Sequence, residues 1–235
     1  MNTVGTRNHE TRLTWVQREL AEIPKGARIL DAGAGERSYE QYCGHLMYVA
    51  QDFAQYDGVG DSTGLQQGVW DQERLDIISD ITAIPEPDES FDAIMCIEVF
   101  EHLPDPVAAV KEFWRLLKPD GVLLLTAPFC SMTHFAPYHF SSGFNRYFYQ
   151  HHLLNQGFTI EEIQSNGNFF EFLAQEIRRI PLVSDKYSVN KTSCLERWAC
   201  DRMLRMLERL SNKDRGSSEF VCFGYHVKAR KNARA

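Results

Sequence analysis

Ile29-Leu30-Asp31-Ala32-Gly33-Ala34-Gly35 is an apolar run that ends in a carboxylate and bends through two glycines. Glycine lets a backbone approach a ligand where a Cβ would collide. The carboxyl end of a parallel strand is where open α/β sheets bind ligands. A second apolar run, Leu46–Ala50, leads to Asp52, about 20 residues after Asp31, where the next strand of a βαβ unit ends and a carboxylate can grip both hydroxyls of a ribose. The pair predicts a nucleoside-bearing cofactor. Dinucleotide sites use a third glycine, but here Arg37 and Ser38 hold the two candidate positions. Glu36 stands where a pyrophosphate needs donors and positive potential, so the bend suits a cofactor without phosphates. The bland alternative, a glycine turn joining strand to helix, leaves Asp52 without a purpose.

Outward from this stretch, strands and helices alternate. Residues 8–23 have helical spacing through Leu13, Val16, Leu20 and Ile23, and Pro24-Lys25-Gly26 ends them. Strand one is expected at Arg28–Asp31, a helix near Ser38–Cys43 and strand two at Leu46–Ala50. Residues Ala54–Trp70 have no period and read as a long loop. Short strand Asp76–Ser79 and central strand Phe91–Ile97 follow. Leu103-Pro104-Asp105-Pro106 starts a helix that runs to Leu117, Lys118–Gly121 reads as a turn, and Val122–Ala127 is another buried strand. Gly157–Gln164 and Glu219–Val227 are the last two strands. The pattern predicts an α/β, doubly wound, mostly parallel sheet. A helical excursion at about Phe169–Leu210 lies within an insertion or cap at 166–216. Trp198, Met203 and Met206 make a stripe there whose commoner fate is buried core, and which otherwise caps the pocket or pairs two subunits as a homodimer. Arg178-Arg179 reads as a solvated helix face, with an acidic or phosphorylated acceptor as the alternative.

The 235 residues suit a single domain spanning 1–235. A net charge of −7 argues against a surface that tracks nucleic-acid phosphates. Lys228, Arg230, Lys231 and Arg234 look like a solvated basic tail. The first residues are polar and lack the apolar centre of a signal peptide, and no run reaches the length of a membrane span. Cys43, Cys96, Cys130, Cys194, Cys200 and Cys222 show no Cys-x-x-Cys spacing and read as buried thiols of a reducing compartment, so the cytoplasm is the expected location.

Several segments, in order, carry a resemblance: Leu30–Gly35, Asp52, Ser79-Asp80-Ile81, Phe91–Ile94, Glu98-Val99-Phe100-Glu101-His102-Leu103-Pro104-Asp105-Pro106 and Arg115–Leu123. Over residues 25–165 the chain resembles the class I S-adenosylmethionine-dependent methyltransferases, and within them the ubiquinone-pathway O-methyltransferases. The resemblance implies a Rossmann-like, seven-stranded sheet with an antiparallel last strand. It implies S-adenosylmethionine as cofactor, its methionine end over Asp31, Gly33 and Gly35, its ribose on Asp52 with Phe53 beside the adenine, and its base on Asp80 and Ile81. Alone, Asp80 also reads as a turn cap before Thr82. Glu98 would face the reaction centre.

Transfer to a hydroxyl needs a base, or a metal that lowers the hydroxyl pKa. The resemblance extends to the Glu-x-x-Glu-His element that binds a divalent ion in some of these enzymes. Glu98, Glu101 and His102, with His139 later in the chain, are thus candidates for magnesium, manganese or zinc. His102 or His139 as metal-free base, beside Glu98, and a purely structural brace are the other readings. The stretch His134–Phe140 and then Arg146-Tyr147-Phe148 is the expected acceptor wall, although most of its aromatics also suit core packing. The leading function is methyl transfer to a hydroxyl of a small-molecule or glycan acceptor. Metal-free N- or C-methylation and a catalytically silent cofactor-binding partner protein are the alternatives.

Overall fold

The computed structural model describes residues 2–66 and 68–233. Its chain order is α1 (Asn8–Glu22), β1 (Arg28–Ala32), β2 (Met47–Asp52), β3 (Ile77–Ile78), β4 (Phe91–Ile97), α2 (Pro106–Leu116), β5 (Leu117–Pro128), α3 (Arg146–Gln156), β6 (Phe158–Asn166), α4 (Phe169–Tyr187), α5 (Cys194–Ser211) and β7 (Gly224–Lys231). The seven strands form one sheet in the order β3-β2-β1-β4-β5-β7-β6. β1 to β5 are parallel, and β7 runs antiparallel beside β5. This is the Rossmann-like methyltransferase fold expected from the sequence. The strand order reverses at β1, so the tips of β1, β2 and β4 open onto one crevice.

Two compact units emerge: residues 14–164 with the chain from 224 onward, and the residues up to 13 with 165–223. In the first, β4 is buried along nearly its whole length, as expected of a central parallel strand. Trp15, Val16 and Leu20 of α1 join Ile29, Ala93, Met95 and Leu124 in one apolar cluster. α2 starts where Asp105 caps Ala108 N at 2.9 Å, with Pro106 in its first turn. In the second unit, Ala174 and Ile177 of α4 pack with Leu204 and Leu207 of α5 and with Val4.

Several expectations need correction. The segment 38–43 forms only a 3-10 turn, Glu40–Tyr42, because Arg37 adopts φ 61° and restarts the chain in i→i+3 bonds. Lys118–Gly121 does not separate two elements. It is a bulge inside β5: Phe91 pairs with Leu117 but Ala93 with Val122, and Asp120 takes up the excess at φ 62°. The last strand begins at Gly224, since Ser217–Glu219 is a 3-10 turn. Trp198, Met203 and Met206 are exposed, because the inward side of α5 is taken by Leu204 and Leu207. Arg178 is no solvated residue: it donates to Val4 O and Asn2 O, both at 2.8 Å. All six cysteines are free, but Cys130 and Cys194 are exposed.

The basic tail is mostly strand. Lys228 pairs with Glu19 and Glu22, each at 2.7 Å, and Arg230 with Glu161 at 2.6 Å. Lys231 is 1 % exposed, with Nζ 2.7 Å from Leu117 O, 3.4 Å from Glu89 Oε1 and 4.2 Å from the Trp114 ring centre. Arg234 lies outside the described residues. Among the described residues, no helix is long and apolar enough to cross a membrane. Lys231→Ala should lower stability by about 2 kcal/mol, because it orphans a buried carbonyl and empties the space beside Trp114. Urea unfolding of the two proteins measures the difference.

Candidate active site

The glycine bend is held by the end of β2. Gly33 N and Ala34 N both donate to Gln51 O at 2.9 Å. Gly35 N donates to Asp52 Oδ2 at 2.9 Å and Ala54 N to Asp52 Oδ1 at 3.0 Å. Gly33 has φ 81°, and a Cβ there would lie 2.5 Å from Val99 Cγ2, so any other residue would strain the backbone and displace Val99. Each Asp52 oxygen accepts one backbone N–H and keeps a further acceptor position for a diol.

A cavity of about 450 Å³ opens above this bend, within the range of about 300–1,000 Å³ for small-molecule sites. Gly33, Asp52, Phe53, Asp80, Ile81 and Glu98 all line it, as does His102. Asp80 Oδ1 caps Thr82, taking its N at 2.8 Å and its Oγ1 at 2.7 Å, which is the turn cap the sequence allows. Asp31 and Gly35 lie off the lining. Asp31 is 2 % exposed and accepts a 2.6 Å hydrogen bond from Tyr48 Oη. Burial raises its carboxyl to about 7 against the pull of that hydrogen bond. Gly35 instead packs under Trp70, whose Cζ3 would meet a Cβ at 3.0 Å.

The roof was not foreseen. The long loop after β2 runs over the cavity and is stitched to the segment after β5. Leu65 N donates to Thr133 O, Phe135 N to Leu65 O and Asp61 N to Ala136 O, at 3.0–3.1 Å. This brings Tyr56 and Phe135 into a stack at 4.8 Å, with Trp70 edge-on at 5.0 and 5.3 Å and Tyr138 at 5.0 Å from Phe53. Trp70 and Tyr56 were missed because a loop without period gives no pattern. Two aromatics in a polar stretch were the available signal.

Below the roof, Glu98 ends β4 at φ 58°, a left-handed conformation that costs a non-glycine residue about 1–2 kcal/mol. Its Oε1 accepts from Thr126 Oγ1 at 2.9 Å. Glu101 is 1 % exposed, and its Oε1 lies 3.7 Å from both His102 Nε2 and His134 Nε2. His102 Nδ1 is 2.6 Å from Tyr138 O and His134 Nδ1 is 2.8 Å from Met132 O. A carbonyl only accepts, so both Nδ1 atoms carry protons, and in the neutral rings both Nε2 lone pairs face Glu101. Burial, with His134 adding to it, lowers His102 to about 3. At that basicity it is a poor proton acceptor near neutral pH. At His134 burial opposes the charge, but contact with Glu101 outweighs it and raises the pKa.

These three groups offer ligand atoms within 4.8 Å of one another. Glu101 Oε2 and His102 Nε2 are buried without a hydrogen-bond partner, and the oxygen–imidazole donor set fits a divalent ion. The set differs from the sequence candidates. His134 takes the place expected for His139, which sits 4.9 Å from the His134 ring with Nε2 3.2 Å from Ser131 Oγ. Glu98 is outside the trio. A second histidine in the same loop, five residues before His139, was the signal for His134.

Comparison with known proteins agrees with this geometry. The chain is 36% identical over 118 residues to a ubiquinone biosynthesis O-methyltransferase of Xanthomonas axonopodis pv. citri, covering 49% of this chain and 48% of the relative. It is 38% identical over 104 residues to the protein of that name from Xanthomonas oryzae pv. oryzae, covering 43% of each. The chain thus matches about half the length of these curated relatives. Among solved structures, the [4+2]-cyclase SpnF superposes with TM-score 0.56 at 19% identity, over 95% of this chain and 82% of that one. Phosphoethanolamine N-methyltransferase 2 of Haemonchus contortus, solved with S-adenosyl-L-methionine, gives 0.51 at 16%, over 96% and 53%. Both are likenesses of fold.

The Asp31 carboxyl gives the apo protein a distinct pH response. On unfolding it regains an ordinary value near 4, so its contribution to stability is greatest below about pH 4 and is lost as pH rises to about 7. Relative to Asp31→Asn, wild-type stability should fall across that window and then level off. Parallel urea profiles for the two proteins would refute the raised value.

The model of the methyltransferase domain family matches residues 6–171, and with the seven-stranded order and the cavity at the tips of β1, β2 and β4, the chain belongs to that family, the class I S-adenosylmethionine-dependent methyltransferases.

Proposed function

We propose that this protein transfers the methyl group of S-adenosylmethionine to a hydroxyl of a small-molecule or glycan-type acceptor, in the cytoplasm. The observation that carries the choice of oxygen is the Glu101–His102–His134 trio beside the cavity that His102 itself lines. The names of the matched relatives, O-methyltransferases, support the same choice.

Transfer from a sulfonium is a direct displacement, so the chain's main work is alignment and exclusion of water. Asp52 and the bend at Gly33 orient the nucleoside, and Asp80 and Ile81 bound its base. The roof of Tyr56, Trp70, Phe135 and Tyr138 keeps water out and presents aromatic faces that favour the cationic sulfur. A neutral hydroxyl must lose its proton as it attacks. Glu101, His102 and His134 would hold a divalent cation, which when bound lowers the pKa of a nearby hydroxyl. Glu98, which accepts from Thr126, places its carboxylate in the cavity lining at the tip of β4.

A screen of phenols, catechols and sugars with S-adenosylmethionine, with and without chelator, tests this directly. Turnover on a hydroxyl that chelator abolishes and a divalent salt restores is expected. Turnover confined to amines and indifferent to chelator would replace the proposal. His134→Ala should slow turnover by about 100-fold or more while calorimetric affinity for S-adenosylmethionine stays within about twofold. Asp52→Ala should weaken that affinity by about 1–3 kcal/mol, since it strips the ribose of a charged partner.

A further inference from the structure

The hairpin of α4 and α5 has a packed end and a bare end. Ala174 and Ile177 of α4 meet Leu204 and Leu207 of α5. Glu171 Oε1 accepts from Ser211 Oγ at 3.1 Å, so the start of one helix lies beside the end of the other. Residues 178–203 hold the remaining turns of both helices and the link between them, and none of these residues is buried. The stretch is nonetheless rich in large apolar side chains. Leu182, Tyr187, Val189, Leu195 and Trp198 all stand exposed around the link. Apolar side chains gathered in the open mark a docking surface.

α5 shows what a partner must accept. From Leu195, the positions i+3, i+7, i+11 and i+14 follow one line along the helix, on the side away from Leu204 and Leu207. They are Trp198, Arg202, Met206 and Arg209, and all are exposed. The line mixes apolar and guanidinium groups and contains no acid. Arg202 lies over the Trp198 ring at 5.9 Å. Residues 186–209 hold six Lys and Arg against three Asp and Glu, in a chain of net charge −7.

That charge separates the occupants an apolar face can have. Isologous pairing sets a patch against itself, so a second copy brings one surplus of arginine against another. A protein partner that covers the line must desolvate its guanidinium groups. A bilayer surface instead takes apolar side chains at the acyl boundary while long cationic side chains reach back to the lipid phosphates. Trp and Tyr are the aromatic side chains that favour this depth. Anionic headgroups add an attraction for clustered Lys and Arg.

We propose that the α4–α5 hairpin docks the protein on an anionic phospholipid bilayer. Val189, Leu195 and Trp198 enter the interface, and Arg202, Arg205 and Arg209 meet lipid phosphates. The hairpin lies on the surface without spanning it, since no helix among the described residues is long and apolar enough to cross. Docking of this kind is independent of which acceptor the cavity takes.

Cosedimentation of the full chain with vesicles tests the assignment. Wild type should bind vesicles of equimolar phosphatidylcholine and phosphatidylglycerol. Binding should fall at least about tenfold on phosphatidylcholine alone, and as steeply at high salt. Leu195→Ser with Trp198→Ser should weaken binding at least about tenfold, and Arg202→Glu with Arg205→Glu should remove the preference for anionic vesicles. All four positions are exposed, so the far-ultraviolet circular dichroism of both variants should match wild type. Absence of wild-type binding to the anionic vesicles, or undiminished binding by both variants, would overturn the proposal. A wild-type dimer in light scattering that the Leu195→Ser, Trp198→Ser pair dissociates would assign the face to a second copy and overturn it equally. The wild-type arms decide even where a variant does not fold.

Discussion

Four backbone N–H groups of the segment 33–35 and 54 converge on two consecutive residues, Gln51 and Asp52, and the site hangs on that convergence. It makes the tips of β1 and β2 one rigid ledge. β1 lies between β2 and β4 in the sheet, so the ledge also brings Gly33 against Val99, at a separation that a Cβ could share only by displacing the Val99 side chain. The chain can place Glu98 and His102 in the same cavity lining as Gly33 because the bend is bare. Sheet order, glycine and carboxylate are thus a single constraint seen at three scales.

The second constraint is electrostatic. A carboxylate that is almost fully buried is costly unless it is paired, and Glu101 is pushed toward its protonated form by burial. The surroundings hold two imidazoles whose far nitrogens are tied to main-chain carbonyls. That tethering selects one tautomer for each ring. A proton shared between Glu101 and His134, whose pKa that contact raises, relieves part of the cost of burying the carboxyl.

Where an element's identity followed from local rules, the sequence was readable. β4 is a continuous apolar run, and α2 opens on an Asp-Pro pair that caps it in the structure as well. Asp52 was found because strand tips face the crevice in any sheet of this order, whereas Asp80 and Glu98 followed from the resemblance. The rest depended on distant partners. Lys231 is polar by composition, and only the pairing of β7 with β5 shows that it is buried on Leu117 O. His134 and His139 are equivalent in a linear reading, since their loop has no period that assigns directions. Asp31 carries the motif's first carboxylate, yet Tyr48, from the neighbouring strand, holds it below the cavity wall.

Glu98 at φ 58° has a consequence for anyone engineering this chain. A sequence optimised for thermal tolerance alone would put glycine at that position, where positive φ carries no steric penalty. Such a protein would be sturdier and would have lost the carboxylate that projects into the crevice. The position is a point where robustness and chemistry pull in opposite directions, and redesign of the fold should leave it fixed.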